Sequence, residues 1–267
     1  MQKINTVSLT ENVKNWLSNS NQPKILHIFD EVCNLINENR EILSIVNAEV
    51  GNGPFNLVIE EPVLFTKHLD VESPILIEDK QIKIRDLIIS FAYAQVWNPM
   101  PRWEKLRKNK DEIINRLSLL QIDNENEAIL QFSNPLSLAI INADILTIKN
   151  ISSKLAGLGM GLTPAGDDYL MGAMYAAWMI HLQEVAKKIT EEIANVAIPL
   201  TTSLSGAWLR SAAKGEAGEL WHEFFDALIE DQNIYMPMSK ILSVGETSGS
   251  DALMGFLSVV NSSLQEG

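Results

Sequence analysis

The sequence predicts an α+β protein in which a β-rich N-terminal barrel or meander is packed on a helical C-terminal bundle. Three observations carry this prediction. Short apolar runs broken by Asn, Gly, Pro and acidic residues fill the first third of the chain. From residue 86 onward, apolar residues recur at helical spacing. The chain has 267 residues, 46% of them hydrophobic, which suffices for a substantial core in two closely packed parts.

The predicted strands are short runs rich in Ile, Leu and Val with turn residues on either side. They cover 24–29, 41–46, 55–60, 74–78 and 81–85. Helical spacing predicts helices over 86–95, 103–120, 127–132, 136–155, 166–182, 185–196, 203–214, 219–228 and 249–264. Between the two kinds of pattern, Trp97-Asn-Pro-Met-Pro101 predicts a rigid turn, because proline excludes regular helix. We therefore expect a β-rich subdomain at 1–95 and a mainly helical one at 96–267.

Composition limits the classes of function. The formal net charge of −13 opposes binding to nucleic acid and to anionic membranes, so we expect neither partner. The single Cys33 excludes an intrachain disulfide and lies in an apolar run that predicts burial. The first residues lack the pattern of a signal peptide, which predicts a cytoplasmic protein. The most apolar run, 169–180, is too short to span a bilayer and predicts a core helix.

The segment from Gly157 to Gly172 carries five glycines and two adjacent carboxylates in sixteen residues. Thr163 is predicted to cap a helix with its hydroxyl, and Pro164 suits the first helical turn. Asp167 and Asp168 would then lie near the positive end of the helix dipole. This arrangement predicts a functional site at the start of a helix.

The glycines of this segment expose main chain. Gly157, Gly159 and Gly161 can take positive φ and bring bare amides to a ligand, and a helix start behind such a loop is a general anion-binding arrangement. Gly166 is included among the predicted ligand-binding residues with Gly159, Gly161 and Thr163. The alternative is a tight turn into a buried helix. The spacing fits neither a dinucleotide-binding fingerprint nor a P-loop.

A second copy of the pattern lies near the C-terminus. Gly249-Ser-Asp251-Ala-Leu-Met-Gly255 matches Gly166-Asp-Asp168-Tyr-Leu-Met-Gly172 at Gly, Asp, Leu, Met and Gly, and Thr247 and Ser248 precede it as Thr163 precedes the first. In each copy the later glycine falls one turn after the aspartate, so that helix face can meet another backbone closely. Either the two helix starts converge on one pocket, or the repeat is a helix-packing device. The first reading makes Asp167, Asp168 and Asp251 catalytic candidates and Thr247 and Ser248 ligand-binding candidates.

Two further polar segments are candidates for ligand binding. Four hydroxyl residues follow Pro199 and begin a predicted helix: Thr201, Thr202, Ser203 and Ser205. Helical geometry then places Ser203, Gly206, Arg210 and Lys214 along one face. That face offers a guanidinium fork to phosphate or carboxylate, or it is a solvated face paired with Glu216 or Glu219. Asn56 follows a Gly-Asn-Gly sequence that predicts either a ligand-facing loop or an ordinary turn, so we keep Asn56 as a ligand-binding candidate.

The chain resembles a known family at these residues. The motif G-L-G-x-G-L-T-P-[S/A]-G-D-D, here 157–168, is similar to the signature of a widespread bacterial family of unknown function, one member of which is a subunit of oxamate carbamoyltransferase, an enzyme of anaerobic allantoin degradation. The resemblance extends to blocks at 51–56, 97–101, 201–205 with 209–210, and 245–249 with 251. Ala165 stands where serine is common in the family, so an essential hydroxyl at that position is not expected here.

The resemblance implies a function that the residues alone do not. It implies a carbamoyltransferase-type subunit that handles carbamoyl phosphate or another small anionic or ureido metabolite, together with other subunits. The alternatives are a non-catalytic assembly subunit and a metabolite-binding protein. We expect no cofactor and no metal, because the four histidines lack metal-ligand spacing and the three aspartates form no ordered ligand pattern.

Overall fold

A computed structural model describes residues 1–118, 120 and 126–264 of the chain. They form two compact units, divided between Pro99 and Met100. The first unit is built on β-sheet and the second on α-helix, which confirms the predicted α+β class.

The first unit contains nine strands and two helices. They are β1 Gln2–Leu9, α1 Glu11–Asn19, β2 Lys24–Ile28, β3 Val32–Ile36, β4 Ile42–Val46, β5 Asn56–Ile59, α2 Phe65–His68, β6 Ile75–Glu78, β7 Gln81–Ile84, β8 Leu87–Ser90 and β9 Gln95–Val96. The strand order β2-β3-β4-β5-β1-β8-β7-β6 forms a nearly closed, barrel-like sheet, and β9 pairs with β1. Of the two predicted forms, the barrel is therefore the observed one.

Strand β1 holds the two sides of this sheet together. Its first half pairs in parallel with β8, with Ile4 opposite Ile89, and its second half pairs antiparallel with β5, with Thr6 opposite Ile59. The core of the unit is apolar and includes Trp16 from α1. Cys33 is fully buried in β3, as predicted, and burial raises the pKa of its thiol to about 12.

The predicted helix over 86–95 is wrong. Leu87–Ser90 is strand β8, because its four residues pair on one side with β1 and on the other with β7. Its alternate apolar residues, Leu87 and Ile89, are buried in the core of the unit. β1, β3 and α1 were not predicted either. The sequence ranges 103–120 and 136–155, predicted as single helices, are each divided in the structure, and residue 119 lies outside the described residues.

The second unit is helical in the residues that the structure describes. Its elements are α3 Trp103–Lys108, α4 Lys110–Leu117, α5 Glu127–Ile141, α6 Ile145–Leu155, α7 Ala165–Ile180, α8 Gln183–Ala197, a 3-10 turn Ile198–Leu200, α9 Ser203–Ala213, α10 Glu219–Ile229, α11 Tyr235–Leu242 and α12 Ser248–Ser263. α5 continues through Pro135 and ends before Ala143, which has φ +53°. α11 was not predicted.

Helix α7 lies at the centre of this unit. It is buried almost throughout and packs against α8, α9 and α12, so the predicted core helix is confirmed. Around Tyr175 the core is aromatic, with ring centroids 5.0 Å from Trp221 and 6.2 Å from Trp103. Among the described residues, no helix combines the length and apolar character needed to cross a membrane.

Candidate functional site

The glycine loop, residues 156–164, connects α6 to α7. Gly157, Gly159 and Gly161 have φ values of +70°, +117° and +95°, as the sequence predicted. Side chains other than hydrogen are strained in this region of φ. The backbone conformation of the loop therefore favours glycine at these three positions.

Several main-chain amides of the loop are left without a partner. Within the described residues, the N–H groups of Gly159, Met160, Gly161 and Leu162 donate no hydrogen bond, and these four residues are exposed. By contrast, the Gly166 amide donates to the Leu158 carbonyl at 2.9 Å. The exposed part of the loop thus offers a run of donors to solvent or to an anion.

Thr163 does not cap α7, contrary to the prediction. The helix begins at Ala165, one residue later than a Thr163 cap requires, and Pro164 occupies the cap position without a side-chain hydrogen bond. The Pro164 carbonyl instead accepts from the amides of Asp167 and Asp168. The Thr163 hydroxyl lies 2.9 Å from the Ser248 hydroxyl at the start of α12.

Asp167 links the loop to the start of α9. One carboxylate oxygen accepts from the Gly157 amide at 2.9 Å, and the other accepts from the Thr201 hydroxyl. The side chain is 2% exposed. Burial raises the pKa of Asp167, and the hydrogen bonds from Thr201 and Gly157 oppose that rise. Both oxygens are engaged within the chain, so the observed contacts of this carboxylate position the loop.

The start of α9 holds the loop through a second contact. Thr202 caps α9, since its hydroxyl accepts from the Ser205 amide at 3.1 Å, and the same hydroxyl donates to the Leu162 carbonyl at 2.6 Å. Ser203 is half-buried in the first turn, and Ser205 is buried next to Asp167. Thr201 begins the run of hydroxyl residues that the sequence indicated as a possible anion site, but its contact with Asp167 was not predicted.

Asp168 faces the start of α12. Asp168 is 5% exposed, its carboxyl group lies beside the Ser248 hydroxyl, and its buried Oδ2 has no hydrogen-bond partner among the described residues. Burial, with smaller contributions from the charges of Asp251 and Asp167, raises the pKa of Asp168 to about 8, and the Ser248 and Thr163 hydroxyls oppose that rise. Asp251 is itself 2% exposed. The two aspartates of the repeat therefore lie close enough to influence each other.

The later glycines of the repeat pack the two helices together. A Cβ on Gly172 would lie 1.7 Å from the Ala252 carbonyl oxygen, and a Cβ on Gly255 would lie 2.0 Å from that of Tyr169. The predicted close approach of backbones is thus confirmed. The contact is reciprocal, because each carbonyl belongs to the residue that follows the repeated aspartate.

The earlier glycines of the repeat are also packing residues. A Cβ on Gly166 would lie 2.1 Å from the Leu155 carbonyl oxygen, and one on Gly249 would lie 1.8 Å from that of Ile241. Each glycine therefore seats its helix against the end of the helix before it. Thr247 is exposed, and its carbonyl accepts from the Asp251 amide at 2.9 Å.

Arg210 lies in the second half of α9. It is half-buried and makes no hydrogen bond or ion pair with any described residue, so the alternative pairing with Glu216 or Glu219 is not observed. Lys214, on the same predicted face, is exposed at the end of α9. It lines a groove of about 410 Å³ with Arg107 and Trp178.

Asn56 belongs to the first unit. Its side-chain amide donates to the Gly51 carbonyl at 3.0 Å, and a Cβ on Gly53 would lie 2.7 Å from its Nδ2. The side chain therefore braces the turn before β5. This is the structural role that the sequence left open.

Three predicted segments come together in the second unit. Asp167 contacts Thr201, Leu162 contacts Thr202, and Thr163 contacts Ser248, so the glycine loop joins the starts of α9 and α12. We call this junction the three-segment site. Within the described ranges, no group of three His, Cys, Asp or Glu side chains is arranged to hold a metal ion.

Two protein-family models match the chain. The model described as oxamate carbamoyltransferase subunit AllH matches residues 155–260, which include the whole three-segment site. The model described as the AllH family N-terminal domain matches residues 5–96. The two matches follow one another along the chain and cover most of it. No solved structure matched.

Proposed function

This chain belongs to the AllH family of oxamate carbamoyltransferase subunits, and from that membership we propose that its three-segment site binds a small anionic ligand carrying a carbamoyl or ureido group. Carbamoyl phosphate, oxamate and oxalurate, which is carbamoylated oxamate, are ligands of this class. The observation that carries the proposal is the buried Oδ2 of Asp168, which has no partner in the described residues although it lies beside the Thr163 and Ser248 hydroxyls. A buried polar atom without a partner is uncommon unless a ligand or water completes it.

The charge of the ligand is matched by donors rather than by a cluster of cations. The unpartnered amides of 159–162 supply main-chain donors on positive-φ backbone, which is the usual form of an anion-binding nest. Arg210 supplies a guanidinium group that no described carboxylate neutralises. In a chain of net charge −13, such local donors are required because the overall field repels anions.

The other end of the ligand carries N–H groups. Asp168 and Asp251 lie together at the helix starts, and the Ser248 hydroxyl adds a group that both donates and accepts. Such groups suit an amide or ureido end, which has both kinds of atom in one plane.

Carbamoyl transfer between such ligands needs no covalent protein nucleophile. The amide nitrogen of oxamate forms a bond to the carbonyl carbon of carbamoyl phosphate, the bond from that carbon to the phosphate oxygen breaks, and the nitrogen loses its proton to the released phosphate. Holding the two reactants in line and stabilising the developing charge account for the catalysis in this scheme. We propose that the chain contributes the three-segment site to an enzyme completed by other subunits.

An activity assay tests the proposal. Phosphate release from carbamoyl phosphate and oxamate is measured for the chain alone and after addition of the other subunits. We expect turnover in the complete mixture, and its loss when Asp168→Ala replaces the native chain. Asp111→Ala is the matched control, since Asp111 is an exposed aspartate in the first turn of α4. Full activity of Asp168→Ala in a folded complex would overturn the proposed site.

A further inference from the structure

The structure points to the form in which Asp168 meets its ligand, an inference that rests on the proposed function. We infer that Asp168 acts as an uncharged carboxyl group, which donates its O–H to the carbonyl oxygen of a carbamoyl group and accepts one of that group's N–H donors. The site would then select an amide or ureido end over a carboxylate of the same size.

The surroundings of Asp168 favour the uncharged form. Only 5% of the residue is exposed. The charged groups that act on it are carboxylates: Asp167 on its own helix and Asp251 on α12. The loop and the start of α12 face it with the Thr163 and Ser248 hydroxyls, which carry no charge. Burial and like charge act against ionisation and outweigh the Ser248 and Thr163 hydroxyls, which favour it, so that the pKa of Asp168 is raised to about 8.

The two buried aspartates of α7 differ in the hydrogen bonds that their carboxyl oxygens already make. Asp167 has both oxygens engaged by the Gly157 amide and the Thr201 hydroxyl. Asp168 lies beside the Ser248 hydroxyl, and its buried Oδ2 has no hydrogen-bond partner among the described residues. A protonated carboxyl group presents a donor on one oxygen and an acceptor on the other, in one plane, and a primary amide presents the complementary pair.

The same features disfavour a carboxylate ligand at this position. A ligand carboxylate beside Asp168 would be the fourth acidic group in a site that already holds Asp167, Asp168 and Asp251. It would also lack the N–H that the carboxyl oxygen accepts. Oxamate and oxalate have nearly the same shape and differ in one terminal group, so they form a matched pair of probes.

Calorimetric titration of the full chain with oxamate and oxalate tests the inference. We expect oxamate to bind at least about tenfold more tightly than oxalate at pH 7. Affinity for oxamate should be steady below pH 7 and about tenfold weaker at pH 9, because the protonated fraction of a group with a pKa of about 8 falls by that factor. Equal binding of the two probes, or affinity that rises with pH, would overturn the inference.

Two substitutions separate this inference from the proposed function. Asp168→Asn keeps a donor and an acceptor in one plane, so it should bind oxamate within about threefold of the native chain and without the loss at pH 9. Asp168→Ala removes both groups and should bind weakly at every pH. If Asn is as damaging as Ala, the ionised form is required and the inference fails while the site stands. If the native chain binds no probe, the proposed function fails. Asp111→Asn is the control for the loss of one negative charge, and a thermal melt of each variant checks that it is folded.

Discussion

Gly172 on α7 lies against the Ala252 carbonyl of α12, and Gly255 on α12 lies against the Tyr169 carbonyl of α7. In each helix, that carbonyl belongs to the residue after the repeated aspartate. The geometry leaves no room for a side chain, because a Cβ would lie at 1.7 Å and 2.0 Å from those two oxygens. Helices α7 and α12 are therefore held at a separation that glycine alone permits.

Substitution of Gly172 tests this contact. We expect Gly172→Ala to lower the free energy of unfolding by about 1–3 kcal/mol or more, because both backbones must shift to admit the methyl group. Gly206→Ala is the control within a helix, since the nearest atom to its Cβ would be Ile198 Cγ2 at 3.5 Å. That change should raise stability by about 0.5–1 kcal/mol through helix propensity. Urea denaturation measures both, and equal effects would contradict the close-packing assignment.

The pH dependence of stability should report Asp168. Its pKa is about 8 in the folded chain against an ordinary value of 3.8, so the folded state holds more protons between these values and stability falls as pH rises through that range. Asp168→Asn removes this slope. Relative to the native chain, the variant should gain stability by up to about 1.4 kcal/mol per pH unit between about pH 4 and pH 8. Denaturation curves at pH 5, 6, 7 and 8 check the sign, and a constant difference between the two proteins would refute it.

Asp167 should behave as a positioning residue. Asp167→Ala leaves the Gly157 amide and the Thr201 hydroxyl without their acceptor, so we expect a loss of about 1–3 kcal/mol in stability. Because one of the two contacts between the loop and the start of α9 is then lost, and the Thr202–Leu162 contact alone remains, proteolysis within residues 157–163 should accelerate. Thr201→Val, which removes one of the two donors, should cause a smaller loss. An Asp167→Ala protein as stable as the native chain would remove the assigned role.

Arg210 should contribute to affinity for the anionic end of the ligand. Arg210→Lys keeps the charge but loses the planar fork, and we expect oxamate binding to weaken by about 1–3 kcal/mol. Arg85→Lys, in the first unit and paired with Asp70, serves as the control. If calorimetry finds equal oxamate affinity for Arg210→Lys and the native chain, Arg210 does not hold the ligand through its planar guanidinium group and is a surface residue.

The loop glycines should differ in their tolerance of a side chain. Gly161→Ala adds backbone strain alone, because no atom lies within 4 Å of its Cβ position, whereas Gly159→Ala also brings a Cβ to 2.9 Å from the Ala165 amide nitrogen. We expect both variants to weaken oxamate binding and Gly159→Ala to weaken it more. Circular dichroism confirms that each variant is folded, and the reverse order of affinities would contradict the prediction.

Local sequence features predicted much of the helical unit. The range 203–214 was predicted as helix and Ser203–Ala213 is observed, because capping hydroxyls and helical spacing act within a few residues. The positive φ of the loop glycines and the glycine-mediated helix contact were predicted for the same reason. The glycines and aspartates of the two motif copies are sufficient to predict both features.

Contacts between distant residues were not predictable in this way. Strand β8 is set by pairing with β1, more than 80 residues earlier in the chain, so its short apolar run was mistaken for helix. The partner of Asp167 is Thr201, 34 residues later, and no local pattern identifies it. Thr163 lost its predicted capping role because its hydroxyl lies beside Ser248, 85 residues away. Tertiary contacts therefore decided which polar groups remained for a ligand.

The reciprocal glycine contact also has a mechanical consequence. If α7 slid along α12 by a fraction of a helical turn, the backbone of each helix would move away from the glycine of the other. Side chains next to Gly172 and Gly255 would then collide with the facing helix. Shear between these helices is therefore blocked in both directions, and Asp168 and Asp251 are carried on a rigid base. We therefore expect adjustment to ligands of different size to come from the exposed residues 159–161, which make no hydrogen bond with the described residues.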